Sequence, residues 1–376
     1  MFYAKLIAPM LTGPALSRFR KNLLAWFSQF QRDLPWRRSK NPYRIWLSEI
    51  MLQQTRVTTA IPYYERFLEC FPDVQALAEA PEEEVLRFWS GLGYYSRARN
   101  LQKAAQQIVA LHRGVFPATE AEALALPGIG KYTAAAILSI ARGQKLAVLD
   151  GNVARVLVRL QAMRGDLHAG KRWQELQKTA EALLAPNVPG DWNQAMMELG
   201  AILCTPKSPQ CLLCPVSEFC RARKLGLTNT IPEKRKKRAT VELRLAAVVL
   251  LDPQNCTLLL PPPKAKGGRA HKADVGAIVS RMWHFPTIEI HREAASDLRA
   301  HLEGSLLHGH KFSAPLERLP GVRHTVTYRS ITLQPFRVNM KKLPQLSGAK
   351  VLPLSDLSSV PISNLTRKIA RAALDS

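Results

Sequence analysis

The chain has 376 residues, and its 53 Lys and Arg against 29 Asp and Glu give a formal charge of +24. That length suggests two or three domains, and 47% hydrophobic content can fill real cores, which excludes disorder throughout. No run approaches the roughly 18 apolar residues of a spanning helix, so no membrane partner is expected; the positive excess points instead to a polyanion such as nucleic acid.

Along the chain, apolar residues recur at helical spacing over 15–30, 43–71, 81–91, 96–111, 120–126, 133–142, 152–161 and 173–184. Breakers fill the connections, among them Asn41-Pro42, Gly91-Leu92-Gly93 and 186–190. A basic stretch at 231–238 has little to bury and reads as an exposed linker. Beyond it, 241–251, 257–260 and 330–338 read as strands, and 292–302 and 365–374 as helices. Strands and helices mixed in this way predict a separate α+β domain behind a mainly helical region. The predicted boundaries are 15–228 for the helical region, 229–240 for the linker and 241–372 for the α+β domain.

Cys204, Cys211, Cys214 and Cys220 crowd together, whereas Cys70 and Cys256 stand alone in apolar settings and are expected to be buried packing residues. The clustered spacing C-x6-C-x2-C-x5-C favours metal in a reducing compartment, and four thiolates hold either a zinc ion or an iron-sulfur cluster. Between two helical patterns lies Leu126-Pro127-Gly128-Ile129-Gly130-Lys131-Tyr132. Two glycines two apart, with a helix starting at once, would aim backbone amides outward at a phosphate, although an ordinary helix connection uses the same residues.

Asp150 follows an apolar run and precedes a helix. It reads as an N-cap, or as a carboxylate whose pKa helix amides lower and so keep ionised beside a developing cation. Glu49 shares a helix face with Trp46, Leu52 and Gln53. It is a solvated surface carboxylate or, if enclosed, a general acid raised by desolvation. Two such carboxylates form the acid and stabiliser pair that breaks a glycosidic bond through an oxocarbenium-like state.

Taken together, these residues resemble the helix-hairpin-helix DNA glycosylases related to endonuclease III, and most closely the MutY-type adenine DNA glycosylases. The likeness runs in one order from Arg32-Asp33-Leu34-Pro35-Trp36-Arg37 through Glu49, Gly91-Leu92-Gly93-Tyr94-Tyr95-Ser96, the hairpin, Asp150 and the four cysteines. The resemblance implies a base-excision-repair enzyme with a 4Fe-4S cluster at Cys204, Cys211, Cys214 and Cys220. Its implied substrate is double-stranded DNA with adenine opposite 8-oxoguanine or guanine. Glu49 would protonate adenine, Asp150 would stabilise the sugar cation, and Tyr132 would orient the pair. Arg32, Leu34, Trp36, Leu52, Val57 and Gln194 would line the adenine pocket. Gln54 and Tyr94 would wedge the duplex, while Gly128, Gly130 and Lys131 would meet its backbone. Relatives that also cut the backbone carry a lysine at the position of Tyr132, and Lys131, one position early, would point about 100° away on a helix. The resemblance therefore predicts a monofunctional enzyme.

The C-terminal region resembles the Nudix-like domain with which such enzymes recognise 8-oxoguanine, on Met282-Trp283-His284-Phe285-Pro286. It has no run of metal-binding glutamates, which predicts recognition without hydrolysis. Many relatives carry Phe-Ser-His in the recognition loop, where this chain reads Val326-Thr327-Tyr328. Thr327 would keep a hydroxyl and Tyr328 an aromatic surface. The enzyme is expected to be a monomer, in the cytoplasm with the nucleoid, or in the nucleus of a eukaryote.

Overall fold

The computed structural model describes residues 11–167, 169–233, 239–262, 282–290, 294–306 and 314–375. The chain divides into two compact units, Met1–Glu79 with Asn100–Lys236 and Ala80–Arg99 with Lys237–Ser376. The expected linker falls partly outside the described residues, at 234–238.

The helices of the N-terminal half are α1 (Gly13–Phe30), α2 (Pro42–Leu52), α3 (Val57–Cys70), α4 (Val74–Glu79), α5 (Glu82–Trp89) and α6 (Ser96–His112). There follow α7 (Glu120–Ala125), α8 (Lys131–Arg142), α9 (Gly151–Gln161), α10 (Gly170–Leu183), α11 (Pro189–Glu198) and the short α12 (Arg221–Lys224). The single helix predicted over 43–71 is two. Gln53 leaves helical geometry and Gln54 has φ +57°, so the chain turns before α3 begins, and helical spacing reads straight across the turn. Cys70 is exposed, contrary to expectation, because the end of α3 turns Phe67 and Phe71 into the core and leaves Cys70 on the solvent side. The stretch 186–190, read as a connection, contains the start of α11: Pro189 occupies a first-turn position, where its missing N–H costs nothing.

Local chemistry explains the elements that matter most. Asn41 caps α2 by accepting from Tyr43 N at 2.9 Å, and Pro42 follows at the first position. Ile45, Trp46, Leu47, Glu49, Ile50 and Met51 are all buried, so α2 runs through the interior. Gly128 has φ +79°, and a Cβ there would lie 2.9 Å from Asn100 Cβ, so the hairpin between α7 and α8 needs glycine twice over. Gly190 lets α11 approach α8, since a Cβ would meet Ile140 Cα at 2.8 Å. On α11, buried Asn193 donates to Leu146 O at 2.7 Å and Ser139 Oγ at 2.8 Å and accepts from Val148 N at 3.2 Å. It thereby fastens the extended segment that delivers Asp150 to the head of α9.

In the second unit the described residues form a mixed sheet in the order β4-β6-β1-β2-β7, with β3 on β1 and β5 on β6. The strands are β1 (Val241–Leu251), β2 (Cys256–Leu259), β3 (Thr287–Glu289), β4 (Glu317–Arg318), β5 (Val322–Val326), β6 (Arg329–Asn339) and β7 (Lys350–Pro353). β1 and β6 run parallel from Val241 opposite Arg329 to Leu251 opposite Asn339. Leu243, Leu245, Ala247 and Val249 pack toward the helix Asn364–Leu374, and Ala246, Val248 and Leu250 toward the helix Ala294–His301. Helices on both faces explain why β1 is apolar without alternation. Ser90 Oγ donates to Ile362 O at 2.7 Å and Asn364 Nδ2 to Gly91 O at 3.1 Å, which ties 80–99 to this unit.

Candidate active site

Within the first unit, α2, α8, the head of α9 and α11 enclose a cavity of about 570 Å³. Glu49, Tyr132 and Asp150 all face it, together with Arg32, Leu34, Trp36, Leu52, Val57, Gln194 and Gln54. Tyr94, Thr327 and Tyr328 belong to the second unit, and Gly128, Gly130 and Lys131 form the hairpin outside the cavity.

Glu49 is only 7% exposed, and its Oε2 accepts from the Tyr132 hydroxyl at 2.6 Å. Burial pushes its carboxyl up to about 7, which the tyrosine bond tempers and the nearby Asp150 charge reinforces. Glu49 is therefore an acid that can still hold its proton near neutrality. Burial and the charges of Glu49 and Asp150 push the Tyr132 phenol well above its ordinary range, so it stays protonated.

Asp150 accepts from Val153 N at 2.7 Å and from Asn152 Nδ2 at 3.0 Å. It is thus the N-cap of α9 and also a wall of the cavity. A helix-head position predicts a carboxyl held low by the amides, but burial outweighs them and the net direction is upward. The hydrogen bonds orient the carboxylate and offset part of its desolvation; a positive charge arriving in the cavity would supply the remainder.

Sequence reasoning missed Glu198, the most enclosed charge in the cavity wall at 1% exposure. It accepts from Arg32 Nε and Nη2, each at 2.7 Å, and from Arg37 Nη2 at 2.9 Å. Although burial opposes it, this double clasp holds Glu198 down at about 2. Arg32 therefore reaches the cavity already committed to a partner. A charged residue late in α11, paired with two arginines some 160 positions earlier, leaves no local signal. Met197 and Asn152 also line the cavity, and the Met197 thioether lies 3.3 Å from the Tyr132 hydroxyl.

The cysteine loop begins where a π-helical turn, Leu199–Leu203, ends at Cys204. Burial raises the Cys214 thiol to about 12 and raises Cys220 as well, and the neighbouring cysteines add to both shifts. Backbone N–H groups of Val216 and of Arg223 and Ala222 point at these two sulfurs, and Arg159 Nη1 donates to Cys204 Sγ at 3.2 Å. Four sulfurs close enough to repel one another, with N–H donors aimed at them, suit thiolates that share an iron-sulfur cluster. Arg155 links this loop to the cavity, donating to Cys204 O at 2.8 Å, Gly200 O at 2.7 Å and Asn152 Oδ1 at 2.8 Å.

Residues 47–190 match the family model of the HhH-GPD superfamily base excision DNA repair proteins, and 204–220 that of the iron-sulfur binding domain of endonuclease III. The chain is 35% identical to a rat adenine DNA glycosylase over 95% of its own length and 78% of the relative's. It is 50% identical to the human adenine DNA glycosylase over 55% of this chain and 40% of that protein. A solved thermostable thymine-DNA glycosylase superposes with a TM-score of 0.52 at 29% identity, over 56% of this chain and 97% of that one.

A helical bundle with this hairpin, this cavity and this cysteine loop defines a helix-hairpin-helix DNA glycosylase of base-excision repair. Within that class, the chain belongs to the adenine DNA glycosylases. It is accordingly an enzyme that binds DNA, and its cofactor is the 4Fe-4S cluster of Cys204, Cys211, Cys214 and Cys220. Among the described residues, no helix is long and apolar enough to cross a membrane.

Proposed function

We propose that this enzyme, acting as a monomer on double-stranded DNA, hydrolyses adenine mispaired with 8-oxoguanine or guanine and leaves an abasic site. The observation that carries the reading is that Glu49 and Asp150 face one cavity with Tyr132 beside them. Adenine must leave the base stack before its bond to the sugar can be attacked, and the walls formed by Leu34, Trp36, Leu52, Val57 and Gln194 suit a flipped base.

Glu49 donates its proton to N7 of the flipped adenine, which then departs neutral. The carboxylate left behind accepts from Tyr132 at the 2.6 Å distance already set. Asp150, oriented by Val153 N and Asn152, faces the sugar as positive charge develops there, and the bond breaks without an amine nucleophile. Water adds to the sugar cation and its proton returns to Glu49; with Tyr132 in the place of the catalytic lysine, no Schiff base forms, and the reaction stops at the abasic site. Bound at its four cysteines, the cluster supplies a structural fastening for the 204–220 loop, whose position Arg155 and Arg159 transmit to α9.

Gln54 and Tyr94 hold positive φ, +57° and +49°, and Tyr94 is 42% exposed, which suits side chains that enter a duplex from loop tips. Gly128, Gly130 and Lys131 offer a phosphate the open N-terminus of α8. The regions 15–228 and 241–372 serve as catalytic and Nudix-like recognition parts. In the latter, Thr327 and Tyr328 form the two-residue tip of the β5–β6 hairpin and read the 8-oxoguanine. Such an enzyme works where DNA is, with the nucleoid or in a nucleus.

The test is timed release of free adenine from duplexes with A:8-oxoG, A:G, A:C and T:G pairs. Release from the first two alone supports the reading, and preferential release of thymine from T:G contradicts it. Borohydride trapping of a covalent complex would contradict the absence of an amine nucleophile.

A further inference from the structure

We infer that Met197 is a positioning residue for the acid step: its thioether is the second acceptor that lets Tyr132 turn its hydroxyl hydrogen away from Glu49 whenever Glu49 is protonated. The inference rests on Glu49 being the general acid, as proposed above.

A tyrosine hydroxyl carries one hydrogen and can accept through its lone pairs. Around Tyr132 Oη stand two acceptors, Glu49 Oε2 at 2.6 Å and Met197 Sδ at 3.3 Å, and one hydrogen cannot serve both fully. When Glu49 is ionised, the carboxylate is much the stronger acceptor and takes the hydrogen. When Glu49 is neutral, it can itself donate to Tyr132 Oη, and the Tyr132 hydrogen then needs another place. Without sulfur at 3.3 Å, that hydrogen would have no protein acceptor on that side, which is costly once a flipped base has displaced water from the cavity. With it, the row Glu49 O–H to Tyr132 Oη to Met197 Sδ is satisfied throughout.

The consequence is a switch of orientation in which no atom is gained or lost. Before the reaction the proton resides on Glu49 and the tyrosine hydrogen on the sulfur side. As Glu49 turns its O–H from Tyr132 Oη to the base and passes the proton to N7, the tyrosine hydrogen swings from Sδ to Oε2 and meets the new carboxylate, and Tyr132 keeps its own proton. The other charged groups facing Glu49 are Asp150 from the head of α9 and Arg37 from the turn before α2. Arg37, a cation, offers no acceptor, and Asp150 acts on Tyr132 through its charge without a hydrogen bond to the hydroxyl, whose partners are Glu49 Oε2 and Met197 Sδ. A leucine could fill the space of Met197, but only an acceptor there stabilises the protonated acid.

The experiment is the pH profile of single-turnover adenine release, read on its alkaline limb, for the cluster-loaded full chain and for Met197→Leu and Met197→Gln. Deleting the acceptor removes support from neutral Glu49 alone, so the alkaline limb of Met197→Leu moves to lower pH by about half a unit, the small size reflecting a weak sulfur acceptor. Met197→Gln restores an acceptor oxygen, and its limb stays at or above that of the parent. A Met197→Leu limb that coincides with the parent's overturns the inference. Should the leucine variant fail to fold, a Met197→Gln limb displaced downward overturns it equally. Glu49→Gln separates the two levels: retained activity there defeats the assignment of the acid, whereas its loss beside an unmoved Met197→Leu limb defeats only the role of Met197.

Discussion

Glu198 Oε1 and Oε2 each lie 2.7 Å from a nitrogen of Arg32, a two-point clasp between residues 166 positions apart, and the same carboxylate holds Arg37. The clasp joins the end of α11 to the segment carrying Leu34 and Trp36, so it fixes the width of the cavity. Glu198 is buried and the two arginines partly so, so removing it strips both cations of their charge-assisted bonds while water reaches Arg32. Glu198→Ala should therefore cost on the order of 1.5–3 kcal/mol of stability, as measured by denaturant unfolding. A cost below about 1 kcal/mol would mean that the two arginines find water instead.

The same residue sets an acid limb of stability. Its folded pKa, near 2, lies below the ordinary value of 4.5, so its contribution is complete above pH 4.5 and is lost as pH falls toward 2. Those values correspond to about 3 kcal/mol across that window, because each pKa unit is about 1.4 kcal/mol. Glu198→Gln should flatten the stability curve between pH 4.5 and 2, and an unchanged slope would reassign the acid sensitivity to other carboxylates.

Glu49 gives the opposite sign. Its folded pKa, near 7, lies above 4.5, so the native state is favoured while the group is protonated and loses stability as pH rises from 4.5 through 7. Glu49→Gln should then be more stable than the parent at pH 8, by roughly 1–3 kcal/mol, and no more stable at pH 4. Unfolding curves at the two pH values check both, and equal differences at pH 4 and pH 8 would count against a buried, displaced Glu49.

Arg155 holds Cys204 O, Gly200 O and Asn152 Oδ1 at once, and Asn152 in turn holds Asp150. An Arg155→Gln change should lower iron content and slow adenine release together, whereas Asn152→Ala should slow release and leave iron in place. Iron analysis beside single-turnover rates reads both. Full activity with full iron in Arg155→Gln would remove the link.

At the other end of the chain, Thr327 carries φ +54° in the hairpin tip, a conformation that disfavours a β-branched residue, and its hydroxyl donates to Val326 O at 2.7 Å. Thr327→Asn places there a residue that tolerates the left-handed region better and should raise stability by about 1 kcal/mol. Thr327→Ala should narrow the preference for A:8-oxoG over A:G, and an unchanged ratio would remove Thr327 from recognition of the oxidised base.

Much of this architecture was legible in the sequence because it is local. Helical spacing gives α1, α6 and α10 to within a few residues, an apolar run gives β1, and alternation gives β6. The hairpin, Asp150 at a helix head and the four cysteines are signals spelled out by neighbours in the chain. The turn at Gln54 is not legible, because helical spacing reads across it, nor is β5, whose alternation is broken by His324 at an inward-facing position. The balance at Asp150 is not legible, because sequence displays the capping amides and hides the burial that outweighs them. Glu198 escaped because its meaning lies in two arginines that only the fold brings near.

Glu49 and Asp150 converging on one flipped adenine is the claim on which the rest stands, and single-turnover release of adenine from an A:8-oxoG duplex tests it most directly. Glu49→Gln and Asp150→Asn, each shown to be folded, cluster-loaded and bound to the duplex, should release adenine at least about 100-fold more slowly than the parent. Parent-like release from either variant would contradict the account.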